Sequence, residues 1–464
     1  MSEANPEHVE PPENEDDNTV VTEARIDEFS EAVEHDARDY LVSEMADMHP
    51  ADIADVMEQM PRHLALDMVE LLGQSLSYEA LTELDVDLRT EALERLPDNV
   101  LAEAIEELDS DDAAILVDDL EEDRQQRILR QVNPSDRSAI ETSLQFDEET
   151  AGRLMQRDFV AAPEFWTVGQ AIDHMRAQVG NLPEPFFEVY LIDPAFHLMG
   201  VVVLSELICA SRDTPLIELK EDLTAIVKPD MDQEEVAYIF QQYNLTSAPV
   251  VDEDNRLTGM ITIDDMVDVI QNENKEDLLA LSQVNDGSAS QSVWDAFKSR
   301  APWLGVNLFT AFLASGVISL FETALDQIVA LAMLMPVVAA LGGNAGSQAL
   351  AVTVRAIAER DMMGAMVARA VRRELFTAVL NGALFSAGVS IIAFIWFRDP
   401  RLAGVIGAAM FLTFIWAGLS GVLVPLTLRR LGADPAVASS VFVLTTVDIV
   451  GFCAFLGFAS MVLL

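Results

Sequence analysis

Five long apolar segments in the last third of the chain constrain its fold more than any other feature. They span residues 303–321, 328–357, 375–397, 402–427 and 437–463. A helix of about 20 apolar residues crosses the roughly 30 Å hydrocarbon core of a bilayer and satisfies its own backbone polar groups there. The segments therefore predict an all-α membrane domain over residues 301–464 with five transmembrane helices, of which the second and fourth are long enough to be tilted or broken.

The rest of the chain has a very different charge. The 464 residues include 28 Lys or Arg and 78 Asp or Glu, yet residues 301–464 contain nine basic residues, all Arg, and eight acidic ones. Residues 1–300 thus carry a net charge of −51. Such a surface repels phosphate, so nucleic-acid binding is disfavoured. An acidic soluble part joined to a membrane part also excludes a simple cytosolic enzyme.

An odd number of spans places the two termini on opposite sides of the membrane. The first 300 residues show no apolar export signal, which predicts an inner (plasma) membrane location with a cytoplasmic N-terminus and an external C-terminus. Most loops then follow the positive-inside rule, with Arg398 and Arg401 as an external exception. The inner loops are expected to contain Arg360, Arg369, Arg372, Arg373, Arg429 and Arg430, and the first outer loop Glu322 and Asp326.

The first half of the soluble part has the pattern of a helical domain. Residues 1–23 are polar and acidic and predict a disordered tail. Residues 24–150 show helical periodicity, as at Ile53, Val56, Met57 and Met60, and predict a superhelical N domain. The opposite faces are almost entirely Asp and Glu, which fits either a solvated surface or one that concentrates cations.

Residues 151–272 contain an internal repeat. Two copies of the pattern Asp, turn, Leu-x-Gly and apolar strand begin at Asp193 and Asp252. Each copy predicts a β-hairpin followed by a helix, with Ser205 and Asp264 as N-caps. The repeat resembles a tandem pair of CBS regulatory domains, which implies an α/β module. Residues 273–300 form a charged connector, predicted to be helical from Glu273 to about Leu281 and again from about residue 292.

Asp448 is the one ionisable residue well inside the apolar segments, 11 residues into the fifth. A carboxylate at mid-bilayer costs about 2.5–3.5 kcal/mol on insertion scales, so it marks a functional site by default. Thr445 precedes it by one turn and offers a hydroxyl. The alternative is a protonated or hydrogen-bonded Asp with a structural role.

The second segment contains the polar run Gly342–Gln348, also near mid-depth. Its Gly343, Asn344 and Ser347 are candidates to line an aqueous path toward which backbone carbonyls turn. The alternative is close helix packing through small residues. Oxygen-rich, thiol-free neighbours suit a hard, hydrated cation such as Mg²⁺.

The order of these regions resembles the MgtE-type magnesium transporters or channels, and the resemblance covers nearly the whole chain after the tail. The membrane motifs are its most specific part. The matching stretches are Arg300–Leu304 (RAPWL), Gly342–Gln348 (GGNAGSQ), Asp434–Ala436 (DPA) and Asp448–Gly451 (DIVG).

This resemblance implies a homodimer with a central pore, in which Asp448 from both copies binds hydrated Mg²⁺. It places Asp326 near the external mouth and assigns residues 273–300 as a plug helix. Cytosolic Mg²⁺ at acidic sites between the N domain, CBS pair and plug is then expected to close the pore. The implied sensor ligands are Asp111, Asp232, Glu234, Asp265, Asp268, Glu273, Glu276 and Asp277.

Two residues depart from the family pattern. Asn244 and Ile115 stand where acids are expected, so at least one sensor ion is predicted to be weaker or lost. No Gly-Lys-Ser/Thr phosphate-binding motif is present, and ATP hydrolysis is therefore not implied. The resemblance allows an adenine nucleotide as a regulator at the CBS pair.

Two other functions stay open. One is transport of Co²⁺, Ni²⁺ or Zn²⁺, which the scarcity of His and Cys in the membrane part disfavours. The other is a membrane-tethered cation receptor that does not conduct. An enzyme function is not expected, because the six His residues show no metal or triad spacing.

Overall fold

The computed structural model describes residues 21–178, 182–183, 186–281, 284, 293–358, 365–432 and 435–464. It comprises two compact units, Met1–Ile270 and Gln271–Leu464. The predicted tail falls largely outside the described residues, as do Arg360 and Asp434.

Short helices, some of them with Pro at or just before the first residue, build the beginning of the first unit. Asn133 caps the helix that begins at Pro134. Proline is tolerated at this first position because an amide there would make no hydrogen bond within the helix. The predicted apolar face is the core, since Ile53, Val56 and Met57 are at most 2% exposed. The helices are α1 Glu23–Glu34, α2 Arg38–Met45, α3 Pro50–Gln59, α4 Arg62–Leu72, α5 Glu79–Thr82, α6 Val86–Arg95, α7 Asp98–Glu107, α8 Ser110–Asp118, α9 Glu122–Leu129, α10 Pro134–Ser143 and α11 Ala151–Leu154.

Two hairpin-and-helix repeats follow, as predicted. In the first sheet β1 pairs with β2 in parallel and β2 with β3 antiparallel, and in the second sheet β4 pairs with β5 antiparallel. The elements are β1 Ala161–Pro163, α12 Val168–Ala177, β2 Glu188–Ile192, β3 Leu198–Val203, α13 Leu204–Cys209, α14 Gln233–Tyr243, β4 Ser247–Val251, β5 Leu257–Thr262 and α15 Ile263–Leu281.

The two repeats use the same turn. Asp193 Oδ1 accepts hydrogen bonds from the amides of residues 195 and 197, at 2.8 and 2.9 Å. Asp252 Oδ1 does the same for residues 254 and 256, at 2.9 and 2.8 Å. Phe196 and Asn255 occupy equivalent left-handed positions, with φ of 67° and 63°. The internal repeat read from the sequence is therefore a repeat of backbone geometry.

The predicted N-caps at Ser205 and Asp264 are wrong. The helices begin one residue earlier, at Leu204 and Ile263, so both side chains lie inside the first turn. The connector is helical up to Leu281 and again from Val293, as predicted, and it differs only in where its first helix begins. The helix α15 continues from the second repeat through Leu281 without a break.

Within the described residues of the second unit, five helices are long and apolar enough to span a membrane, as predicted. Helix α19 begins about ten residues before the predicted third segment, so Arg369, Arg372 and Arg373 lie in its first turns and not in a loop. The second and fourth spans are unbroken despite Pro336 and Pro425. The helices are α16 Val293–Ser319, α17 Glu322–Gln327, α18 Val329–Ala358, α19 Ala365–Phe397, α20 Pro400–Arg430 and α21 Pro435–Val462.

Glycines bring α18, α20 and α21 close together. A Cβ at Gly421 would lie 2.6 Å from the Ala349 Cβ and 3.0 Å from the Gly346 carbonyl oxygen. A Cβ at Gly346 would lie 3.0 Å from a methyl carbon of Val443. The three backbones can approach this closely only because side chains are absent at the crossings.

We expect Gly421→Ala to destabilise the membrane unit, because overpacking a close contact costs about 1–3 kcal/mol. The melting temperature of the full-length protein in detergent should fall by several degrees. Gly404→Ala on the same helix is the matched control, since a Cβ there has no neighbour within 4 Å. Equal melting temperatures for the two variants would contradict this packing.

Candidate ion pathway and cation sensor

Asp448 lies on α21, partly buried, in the middle of the membrane unit. Among the described residues no Lys, Arg or His forms an ion pair with it. The Thr445 hydroxyl donates to the Val441 carbonyl at 2.6 Å, and the Thr446 hydroxyl donates to Val443 at 3.1 Å. Both hydroxyl oxygens keep lone pairs for a hydrated ion.

The polar run on α18 reaches the level of Asp448. A Cβ at Gly342 would lie 3.0 Å from Val447 Cγ1, and one at Gly343 would lie 3.3 Å from Leu444 Cδ2. The contacted residues precede Asp448 on α21 by one and four residues, which is about one turn at most. The match in depth predicted from the sequence is therefore present in the packing.

The expectation that backbone carbonyls of this run turn toward an aqueous path is wrong. Helix α18 is continuous from Val329 to Ala358, so these carbonyls belong to its hydrogen-bond ladder. Gly342 and Gly346 serve close packing of α18 against its neighbours, which was the alternative for this run. The side chains of Asn344 and Ser347 are exposed on the other face, with Gln348 beside them.

Asp326 lies on the short helix α17, which follows the end of α16 and precedes α18. Its side chain is exposed, whereas Ala324 on the same helix is fully buried in the membrane core. The short helix thus anchors through its apolar side and presents a carboxylate at one end of the unit.

A second carboxylate site lies within the first unit, where α8 faces the start of α15. Asp111 is only 7% exposed, and its Oδ1 has no hydrogen-bond partner among the described residues. Burial and the neighbouring Asp265, Asp112 and Asp109 raise the pKa of Asp111 well above its ordinary value. An unpaired buried carboxylate oxygen is costly, so this site favours a proton or a cation.

Asp265 lies opposite, on the first turn of α15. Its Oδ2 accepts a hydrogen bond from the Thr262 hydroxyl at 3.0 Å. Burial and the charge of Asp264 nevertheless raise the pKa of Asp265 to about 7. Burial and Asp264 also raise the pKa of Asp268, although its side chain is exposed.

The structure adds two acids that the sequence reasoning missed. Burial, Asp109 and Glu83 raise the pKa of Asp112 to about 6, and burial and Asp268 raise the pKa of Glu83. The run Asp109–Asp112 at the start of α8 was the signal available for the first. Nothing in the sequence brings Glu83 to the same place, because it is distant along the chain.

These carboxylates repel one another without converging on one point. Within the described ranges, no three His, Cys, Asp or Glu groups are placed to hold a single ion directly. Mg²⁺ dehydrates reluctantly and keeps several waters, so carboxylates separated by water layers remain suitable partners for it.

Asp232 and Glu234 lie elsewhere in the first unit. Asp232 caps α14 and accepts a hydrogen bond from the Glu234 amide at 2.9 Å. It borders an open cavity of about 540 Å³ whose other walls are Asp118, Leu144, Phe146, Asp147, Glu148, Glu149, Thr150 and Arg153. Glu234 is exposed. This acidic cavity is distinct from the neighbours of Asp111.

The two departures from the family pattern have clear structural settings. Asn244 ends α14 in the left-handed conformation, with φ of 52°, which Asn tolerates better than most residues. Ile115 is 38% exposed on α8 and offers no ligand atom.

Glu273, Glu276 and Asp277 lie on the same helix as Asp265. Glu276 follows Asp265 by 11 residues, which is about three helical turns. Because the helix is continuous, these two residues and Asp268 lie on one side of it. Glu276 is exposed, and the other two are partly buried. Near the end of α15, Ala280 is buried in a cluster with Leu350 of α18 and Val443 of α21.

Comparison with known proteins gives matches in the helical N-terminal part, the second repeat and the membrane part. A family model described as a divalent cation transporter, MgtE, matches residues 335–458, the MgtE intracellular N domain matches 48–149, and a CBS domain matches 214–272. A magnesium transporter MgtE from Bacillus subtilis is 32% identical over 72% of this chain and 74% of its own. One from Thermus thermophilus is 33% identical over 73% of this chain and 75% of its own.

A solved structure, the cytosolic domain of the Mg²⁺ channel MgtE in complex with ATP, is 30% identical. It covers 53% of this chain and 99% of its own, with a TM-score of 0.49.

Proposed function

The chain belongs to the MgtE family of divalent cation transporters, and we propose that it is a Mg²⁺-selective, Mg²⁺-gated channel-like homodimer. Magnesium transport is the activity of its curated relatives. The observation that supports a pore in this chain is Asp448, a mid-membrane carboxylate without a cationic partner among the described residues, at the level of a polar face of α18.

In this proposal the pore ion is held through its water shell. Asp448 from each of two copies attracts the dication, and Thr445, Asn344 and Ser347 provide oxygen atoms for its waters. Gly343 lets α18 lie close to α21, and Asp326 draws cations to the external end. Mg²⁺ moves down its electrochemical gradient, with no chemical step on the protein.

The gate is proposed to follow from electrostatics. With a net charge of −51 on residues 1–300, the closely packed carboxylates of the first unit repel one another when no cation is present. Mg²⁺ between Asp111, Asp265 and their neighbours would turn this repulsion into attraction and favour a compact state. A ligand that binds one state more tightly shifts the population toward it.

We propose a role in this gate for each region of the chain and for the remaining acids. Residues 24–150 and 151–272 form the sensor, residues 273–300 the plug, and residues 301–464 the pore. Burial of Ala280 against α18 and α21 supports a plug that reports to the pore helices. Asp232, Glu234, Asp268, Glu273, Glu276 and Asp277 are proposed to hold further regulatory ions. A regulatory adenine nucleotide at the CBS pair stays a prediction.

The test is Mg²⁺ entry into liposomes that contain the purified full-length protein and a Mg²⁺-sensitive dye. We expect entry down the gradient without ATP, slowing as internal Mg²⁺ rises, and slower entry of Co²⁺, Ni²⁺ or Zn²⁺. Protein-free liposomes are the control. No entry at low internal Mg²⁺ would contradict transport and favour a receptor, whereas preferred entry of another metal would contradict Mg²⁺ selectivity.

A further inference from the structure

One end of the membrane unit concentrates arginines. A small apolar cluster packs Ile357 of α18, Val371 of α19 and Val422 and Leu426 of α20 against one another. The end of α18, the start of α19 and the end of α20 therefore meet at the same end of the unit. Among the described residues, the arginines within a few turns of this cluster are Arg355, Arg369, Arg372, Arg373, Arg429 and Arg430.

Four of these guanidinium groups have no carboxylate partner in the described part of the chain. Arg373 pairs with the adjacent Glu374 at 3.3 Å. No such ion pair forms at Arg369, Arg372, Arg429 or Arg430, all of which have exposed side chains. These four are called the arginine belt below.

The arginine belt lies at the ends of two exposed apolar helix faces, one on α19 and one on α20. On α19, Arg369, Arg372, Phe376 and Leu380 follow one another at three- and four-residue spacing, and the last two are 65% and 56% exposed. On α20, the 47% exposed Leu423 lies two turns before Arg430. In a membrane helix such faces contact acyl chains, so the residues that extend them lie at the depth of lipid headgroups.

The type of cation points to the ligand. All nine basic residues of 301–464 are Arg. The guanidinium group presents a planar fork of donors that matches two phosphate oxygens, whereas Lys acts as a point charge. We propose that the arginine belt binds the phosphodiester headgroups of anionic phospholipids.

Lipid is favoured over acidic segments of the chain itself because of this continuity. A carboxylate from the soluble part would contact the guanidinium groups but would leave Phe376 and Leu380 without a partner. A phospholipid covers both parts of the surface at once, with its phosphate on the belt and its acyl chains along α19.

The test uses full-length protein in detergent, with phosphatidylglycerol or phosphatidylcholine of identical acyl chains added. We expect phosphatidylglycerol to raise the melting temperature by several degrees more than phosphatidylcholine. The variant Arg369→Gln/Arg372→Gln/Arg429→Gln/Arg430→Gln should lose this difference. Arg398→Gln/Arg401→Gln, at the opposite end of α19 and α20, is the matched control and should keep it.

A second variant keeps the proposal testable if the glutamine variant does not insert into the membrane. Replacing the four belt residues by Lys keeps the charge but removes the fork, and it should reduce the difference between the two lipids. An unchanged difference in this variant would overturn the assignment to guanidinium forks. The proposal would also be overturned if wild type responded equally to both lipids, or if inorganic phosphate at the same concentration reproduced the stabilisation.

Discussion

Asp448→Ala should abolish Mg²⁺ entry into liposomes, and Asp448→Asn should reduce it by at least about 100-fold. Asn preserves the size of the side chain and removes only its charge, so it isolates electrostatic attraction. Two unit charges 4 Å apart interact by about 4 kcal/mol at an effective dielectric constant of 20. Since each 1.4 kcal/mol is a factor of ten in the binding constant, part of this interaction is enough for the expected loss.

Asp399→Asn is the matched control for this result. Asp399 is also a carboxylate of the membrane unit, but it caps α20 through the amides of Arg401 and Leu402. Asn caps helices as well as Asp does, so this variant should fold and conduct normally. Wild-type entry in the Asp448 variants would keep transport but would move the ion filter to another residue.

The double variant Asp111→Asn/Asp265→Asn should remove closure by internal Mg²⁺ while leaving entry at low internal Mg²⁺ intact. Burial, and after it neighbouring acids, raises the pKa of each carboxyl, so the folded site disfavours negative charge at both positions. Amides of the same size relieve this repulsion and remove the attraction for Mg²⁺. Wild type should therefore slow as internal Mg²⁺ rises, whereas the variant should continue to conduct.

Stability without Mg²⁺ provides an independent readout of the same variant. A carboxyl whose pKa is raised in the folded state contributes stability below about pH 4, and that stability is lost as the pH rises through about 7 for Asp265. With a chelator present, the melting temperature of wild type should thus fall as the pH rises from about 4 to about 7. The melting temperature of the variant should fall less. Asp39→Asn, at an exposed position of α2, is the control for removing charge alone. Closure at the wild-type Mg²⁺ concentration in the double variant would contradict the sensor.

The spans, the repeat and the position of Asp448 level with the Gly342–Gln348 run could all be predicted because each depends on local pattern. The apolar length of a span is visible in any single segment, and the Asp193 and Asp252 turns repeat along the chain. The start of α19 could not be predicted in this way. Arg369, Arg372 and Arg373 interrupt the apolar pattern, yet the helix continues because arginine is a good helix former.

The acidic cluster shows why the rest of the site was harder to predict. Asp111 and Asp265 were placed together only by resemblance to the family, and Glu83 was missed. Their proximity depends on how α8, α5 and α15 pack, which no local spacing encodes. The role of Gly342 and Gly346 was likewise open until the packing of α18 on α20 and α21 was known.

The unbroken course of α15 has a geometric consequence. Its 19 residues measure about 28 Å at 1.5 Å per residue, with Asp265 in the first turn and Ala280 in the last. Within one continuous helix the rotation and rise between side chains are fixed, so Asp265, Asp268 and Glu276 keep their order along one side of α15.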